Sequence, residues 1–246
     1  MRIALLSDIH ANVQALTACL NHARERGAER FVFLGDLVGY GADPEGVLDI
    51  VTSYALAGAI ALKGNHDEAI AKSSSYFNDA AKAALELARK RLGTEHKQFL
   101  AALPLLHRDG SECYVHASAA APERWTYVDS PSAAKQCVEA AQATYTFCGH
   151  VHDQLLYFEN PQGRMSEFRP VPGTPIPVGS QRRWVAIVGS VGQPRDRNPA
   201  AAYALFDRGL KQLTFFRVAY DASAAARSIR QSGLPESLAY RVELGI

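Results

Sequence analysis

The chain has 246 residues, 48% hydrophobic and 21% charged, with a formal net charge of +1. That is ordinary globular composition, of a length that suits one large domain or two small ones. The near-neutral charge supplies no whole-molecule field for nucleic acid or acidic membranes. No apolar run approaches bilayer-spanning length, Tyr54 to Leu62 being about the longest.

Arg2 to Ser7 is a short, partly branched apolar run and reads as a buried strand. Asn12 can cap a helix to about Arg26, with Val13, Leu16, Leu20 and Ala23 on one face and Gly27 as the stop. Arg30 to Leu34 is a second strand, Pro44 to about Val51 a short helix, and Ala59 to Leu62 a third strand. This alternation predicts parallel strands covered by helices.

Asn78 or Asp79 opens an Ala/Leu-rich helix to about Leu92, and a shorter helix runs from Glu95 to Leu103. Cys113 to His116 is a strand, Ser132 to about Ala141 a helix, and Thr144 to Cys148 a strand. From Leu155 the texture changes to short strands separated by Gly, Pro and Asn turns: Leu155–Phe158, Met165–Arg169, Trp184–Gly189, Ala202–Phe206 and Gln212–Val218. A helix from about Ala222 to Ser232 precedes a tail holding Pro235. With no repeat or linker, residues 1–246 are expected to form one α/β domain whose second half is strand-rich.

Cys19, Cys113, Cys137 and Cys148 are widely spaced, with no CxxC pair. They read as small buried apolar residues in a reducing compartment, and the N-terminal apolar run is too short for a signal peptide, so the expected location is the cytoplasm.

Chemistry concentrates at the predicted strand ends. In an α/β sheet the loops at the carboxyl ends of strands aim side chains at a common site. There the sequence places Asp8-Ile9-His10, Gly35-Asp36, Gly64-Asn65-His66-Asp67, His116 and Gly149-His150-Val151-His152. Five of the eight histidines fall at these ends. In each DxH or HxH pair, period-two strand geometry would point both side chains the same way, and the neighbouring glycines would let the backbone turn sharply. Each motif alone is common, whereas the ordered set is specific.

That ordered set resembles the calcineurin-like metallophosphoesterase superfamily, and the later Gly189-Ser190-Val191-Gly192-Gln193-Pro194-Arg195-Asp196 is similar to a bacterial subgroup of small predicted phosphodiesterases. The resemblance implies a four-layer α/β/β/α sandwich of two mixed sheets, with the metal site at the carboxyl ends of the strands. It implies that Asp8, His10 and His152 hold one divalent metal, that Asn65, His116 and His150 hold another, and that Asp36 bridges both. It further implies attack by a metal-bridging hydroxide, with His66 as general acid. Mixed N/O ligands suit Mn, Fe, Co, Ni or Zn.

Protein serine/threonine phosphatases of that superfamily follow their GD with an acidic-basic pair; Gly39 and Tyr40 stand there, which argues against that class. The missing acid leaves His66 without an orienting carboxylate. A phosphate-binding cation must then come from elsewhere, and Arg195 is the candidate unless it pairs with Asp196. Tyr40 is either a stacking surface for a base or loop packing. The expected function is hydrolysis of a small phosphodiester or phosphomonoester, nucleotidic substrates included. The alternatives are a dinucleoside polyphosphate hydrolase, a nuclease, or a non-enzymatic binding scaffold of the same fold. The expected partner is a small phosphorylated substrate, with no membrane; the charge argues against nucleic acid, and the sequence specifies no oligomeric state.

Overall fold

The computed structural model describes residues 1–72 and 77–246. Strands β1 (Arg2–Leu6), β2 (Arg30–Phe33) and β3 (Ile60–Ala61) are separated by helices α1 (Val13–Glu25) and α2 (Pro44–Leu56). Helices α3 (Asn65–Ala71), α4 (Asp79–Arg91) and α5 (Thr94–Ala102) follow, then β4 (Leu106–Asp109), β5 (Glu112–Val115), α6 (Pro131–Ala141) and β6 (Tyr145–Cys148). Next come β7 (Gln154–Glu159), β8 (Met165–Phe168), β9 (Ile176–Pro177), β10 (Trp184–Val188), β11 (Ala201–Asp207) and β12 (Gln212–Val218). Helices α7 (Ala222–Gln231) and α8 (Glu236–Leu244) come last.

Two six-stranded sheets result, ordered β3-β2-β1-β11-β12-β9 and β4-β5-β6-β10-β7-β8. In the first, β1, β2 and β3 are parallel and β11 runs antiparallel to β1. In the second, β5, β6 and β10 are parallel, flanked by antiparallel β4 and β7. The motifs that follow the parallel strands of the two sheets meet at one place in the fold.

Alternate residues explain the layering. Ile3, Leu5 and Val32 pack towards Tyr114, Phe147, Leu156 and Ala186 of the other sheet. Ala4, Leu6 and Phe33 pack outward beneath α1 and α2, through Leu16, Cys19, Leu48 and Val51. Cys113, Val115, Val185 and Ile187 pack under α6 through Ala134, Cys137 and Val138. The expected four-layer arrangement is the observed one. Strands buried on both faces lose the apolar/polar alternation of half-exposed strands. Removing Phe147, 2% exposed at the sheet interface, by Phe147→Ala would cost about 3–5 kcal/mol.

Four local expectations change. Helix α2 continues past Val51 to Leu56. Leu106–Asp109, too polar to signal a strand, pairs with β5 as a hairpin. Asn65 opens helix α3, so the Gly64–Asp67 motif is a helix start and not a plain loop. The tail after Pro235 is helix α8, held against α7 by Ala226, Ile229, Leu238 and Val242.

Candidate metal centre

The predicted ligands converge. Single ligand atoms of Asp8, His10 and His152 lie within 4.8 Å of one another, as do those of Asp36, His116 and His150. Asn65 joins the second group, its Oδ1 3.3 Å from His116 Nε2. Asp36 touches both, with Oδ2 3.3 Å from His116 Nε2 and 3.9 Å from His10 Nε2. All seven side chains are buried.

The expected strand geometry does not bring them together. Strand β1 stops at Leu6 and β6 at Cys148. Asp8, His10, Asp36, His150 and His152 all take the left-handed conformation, with φ between 50° and 71°. That conformation costs of order 1–3 kcal/mol at a non-glycine residue, so the surroundings must enforce it. They do so by interlocking loops: Ile9 and His10 both donate to the Asp36 carbonyl at 2.9 Å, and Gly192 donates to the Asp8 carbonyl at 2.9 Å. Gly35 does turn sharply, at φ 100°. Gly64 and Gly149 serve close approach instead, since an added Cβ would lie 2.1 Å from Asp36 Oδ1 and 1.8 Å from Ser7 Oγ.

Each carboxylate divides its oxygens. Asp8 Oδ2 accepts from the His150 N–H at 3.0 Å and Asp36 Oδ1 from the His66 N–H at 2.9 Å. The imidazoles are pinned from behind: Nδ1 of His10, His116 and His152 meets the carbonyls of Val38, Leu34 and Gln193 at 3.2, 2.9 and 2.6 Å. A carbonyl can only accept, so Nδ1 carries a proton in each of these rings, and a ring that is neutral turns its Nε2 lone pair inward.

Burial drives His10 and His152 well below the usual histidine range, so both rings are neutral. Their Nε2 lone pairs then face each other at 3.2 Å, an arrangement a cation between them would relieve. Asp8 Oδ1 and His150 Nε2 are buried with no hydrogen-bond partner among the described residues. Burial takes His150 down to about 3. It would lower His116 as well, but the Asp36 carboxylate carries that ring up to about 9. Burial opposes ionisation of Asp36, which His116 and His66 nonetheless hold well below the carboxylate range. The residues present fit divalent cations.

The calcineurin-like phosphoesterase superfamily domain matches residues 1–209. The chain belongs to that superfamily. It is 31% identical over 249 aligned positions to an uncharacterized protein of Methanocaldococcus jannaschii, covering 99% of this chain and 98% of that one. A metallophosphoesterase from Sphaerobacter thermophilus has a TM-score of 0.90 at 35% identity, with 100% of this chain and 99% of the other covered. A hypothetical protein from Pyrococcus horikoshii OT3 shares the fold at a TM-score of 0.80 and 23% identity, covering 100% and 98% of the two chains.

Superfamily membership leaves the substrate side of the centre to this chain's own residues. A cleft of about 280 Å³ opens over the ligands, lined also by His66, Tyr40, Phe77, Tyr127, Arg195 and Arg241. His66 is buried, and burial pushes it down to about 4. Its ring sits among His10, Tyr40 and Phe77, with centroids 4.9, 4.6 and 4.7 Å away, and among the described residues no carboxylate is hydrogen-bonded to it. Tyr40 packs edge-on against His10 at 4.7 Å and also lines the cleft. Arg195 does not pair with Asp196, because Arg217 takes that carboxylate at 2.5 and 3.0 Å.

Two residues escaped the sequence reading. Asp67, quoted in its motif without a role, accepts from the N–H groups of Leu37, Val38 and Gly64 at 2.9, 3.2 and 2.9 Å, tying two motif loops together. The capping pattern at a helix start could have exposed it. Arg241 carried no such signal, since only the return of α8 to the cleft gives it a place.

Proposed function

We propose that this chain is a metal-dependent hydrolase of small phosphate esters, with Asp8, His10, Asp36, Asn65, His116, His150 and His152 as metal ligands. The observation that carries the reading is the pair of buried neutral imidazoles whose lone pairs face each other at 3.2 Å beside two inward carboxylates. Two divalent cations held there would neutralise phosphoryl oxygens and acidify a water for attack. Asp36 is the bridging residue, standing within reach of both ligand groups.

The chain's own residues do the rest. Arg195, which lines the same cleft, supplies a cation for phosphate oxygens of the substrate. His66 is neutral at pH 7 in the absence of substrate, and the negative charge of an arriving phosphate raises its pKa. The ring then passes a proton to the leaving oxygen, a role suited to imidazole near neutrality. Residues 1–246 act as one unit, because α8 contributes to the cleft wall. A cleft of about 280 Å³ suits a small molecule better than a nucleic-acid strand.

The test is elemental analysis of the purified chain, then hydrolysis of mono-aryl and bis-aryl phosphates after stripping and reloading with Mn, with Asp36→Asn in parallel. Metal-dependent turnover that Asp36→Asn abolishes supports the reading, and the ratio of the two rates separates phosphatase from phosphodiesterase. Failure to bind any divalent metal overturns it. Metal binding without turnover of either ester favours a binding scaffold.

A further inference from the structure

The cleft carries two guanidinium groups that form no ion pair among the described residues. Arg195 comes from the loop after β10 and Arg241 from α8, and both line the cleft that also holds Asn65 and His150. Arg195 Cζ stands 5.8 Å from the centre of the Tyr40 ring, and the charges of both arginines reach the Tyr40 hydroxyl. The two cations therefore share the cleft.

Each has an acidic neighbour in sequence, and each neighbour is committed elsewhere. Asp196 is held by Arg217. Glu243 is held in a fork by Arg230 at 2.8 and 2.9 Å, and Glu236 by the same arginine. Among the described residues neither Arg195 nor Arg241 forms an ion pair. Among the same residues Arg195 Nε is buried without a hydrogen-bond partner, and its Nη2 donates to Gln193 Oε1 at 3.2 Å. A buried donor without an acceptor is costly, and two like charges in one cleft repel. A bound anion would relieve both.

The ligand cluster already offers a place for one phosphoryl group. We propose that Arg195 and Arg241 form a second anion subsite, which holds a phosphate adjoining the one that is cleaved. The substrate class is then small phosphoanhydrides and polyphosphorylated esters, of the nucleoside diphosphate or triphosphate kind. The identity of the cleaved group rests on the phosphoesterase reading above. Forked guanidinium donors match phosphate oxygens in geometry and charge. Hydrolysis adds water across one P–O bond: the hydroxyl goes to the cleaved phosphorus and the proton to the departing oxygen, with no redox partner.

The test combines a binding readout and a kinetic one on the full chain, for wild type, Arg241→Gln and Arg241→Lys. Metal-free protein is titrated calorimetrically with inorganic pyrophosphate and with orthophosphate. Wild type is expected to favour pyrophosphate, and Arg241→Gln to lose about tenfold of that affinity, the scale of a charged hydrogen bond; Arg241→Lys keeps part of it. Equal pyrophosphate affinity in wild type and Arg241→Gln overturns the subsite. With Mn-loaded protein, the kcat/KM ratio of ADP to an aryl phosphate is expected to fall about tenfold in Arg241→Gln, and an unchanged ratio counts against the proposal. A chain that binds pyrophosphate through Arg241 but turns over no ester supports the subsite while removing the hydrolase reading.

Discussion

His116 Nε2 lies 3.3 Å from Asp36 Oδ2, with both side chains buried. In the absence of a cation this contact is an ion pair: burial opposes the charge on His116, but Asp36 raises the ring to about 9. Metal binding requires neutral imidazole, so cation uptake near pH 7.5 must displace this proton. Apparent metal affinity should rise about tenfold per pH unit up to about pH 9 and then level off. Calorimetric titration with Mn in buffers of different ionisation enthalpy should show close to one proton released. Heat independent of the buffer would remove the linkage.

Gly39 is the floor beneath the His66 ring. At φ 88°, an added Cβ would stand 2.3 Å from His66 Nδ1. Gly39→Ala is expected to displace the ring and cost roughly 1 kcal/mol of backbone strain besides. Turnover of aryl phosphates should drop about 10²-fold or more, the loss also expected of His66→Ala. The double variant should be no worse than either alone. Additive losses would separate Gly39 from His66.

His66 should matter most where the leaving group needs a proton. His66→Ala is expected to slow an alkyl phosphate at least about tenfold more than a p-nitrophenyl ester, whose leaving group departs unprotonated. A uniform loss across a series of leaving groups would assign the ring to positioning.

Asp67 clamps two motif loops by accepting three backbone N–H groups. Burial and the nearby Asp36 push this carboxyl up to about 7, against those donors. Asp67→Asn would turn an NH₂ towards an N–H donor, and the expected loss is about 1–3 kcal/mol of stability. Thermal melting in the presence and absence of Mn measures it. An unchanged melting temperature would show that the loops hold without the clamp.

Asp36 stands where the ligand groups meet. Asp36→Asn should retain the fold by circular dichroism while metal affinity falls at least about 10–100-fold, the loss typical even of supporting residues. Full metal occupancy in the variant would move the bridging role to another residue.

The sequence by itself determined the α/β class, the order of most elements and the seven residues that meet, while the four layers followed from the resemblance those residues carry. Burial on both faces writes central strands as apolar runs, and chemistry-bearing residues follow those runs directly. It did not determine how Asp8, His10, His150 and His152 are aimed, because left-handed backbone at a non-glycine residue is imposed by interlocking loops and leaves no local signature. Nor did it reveal Gly39 as the floor under His66, the partner of Asp196, or the return of Arg241 to the cleft. Those depend on contacts between residues distant in the chain, which only packing decides.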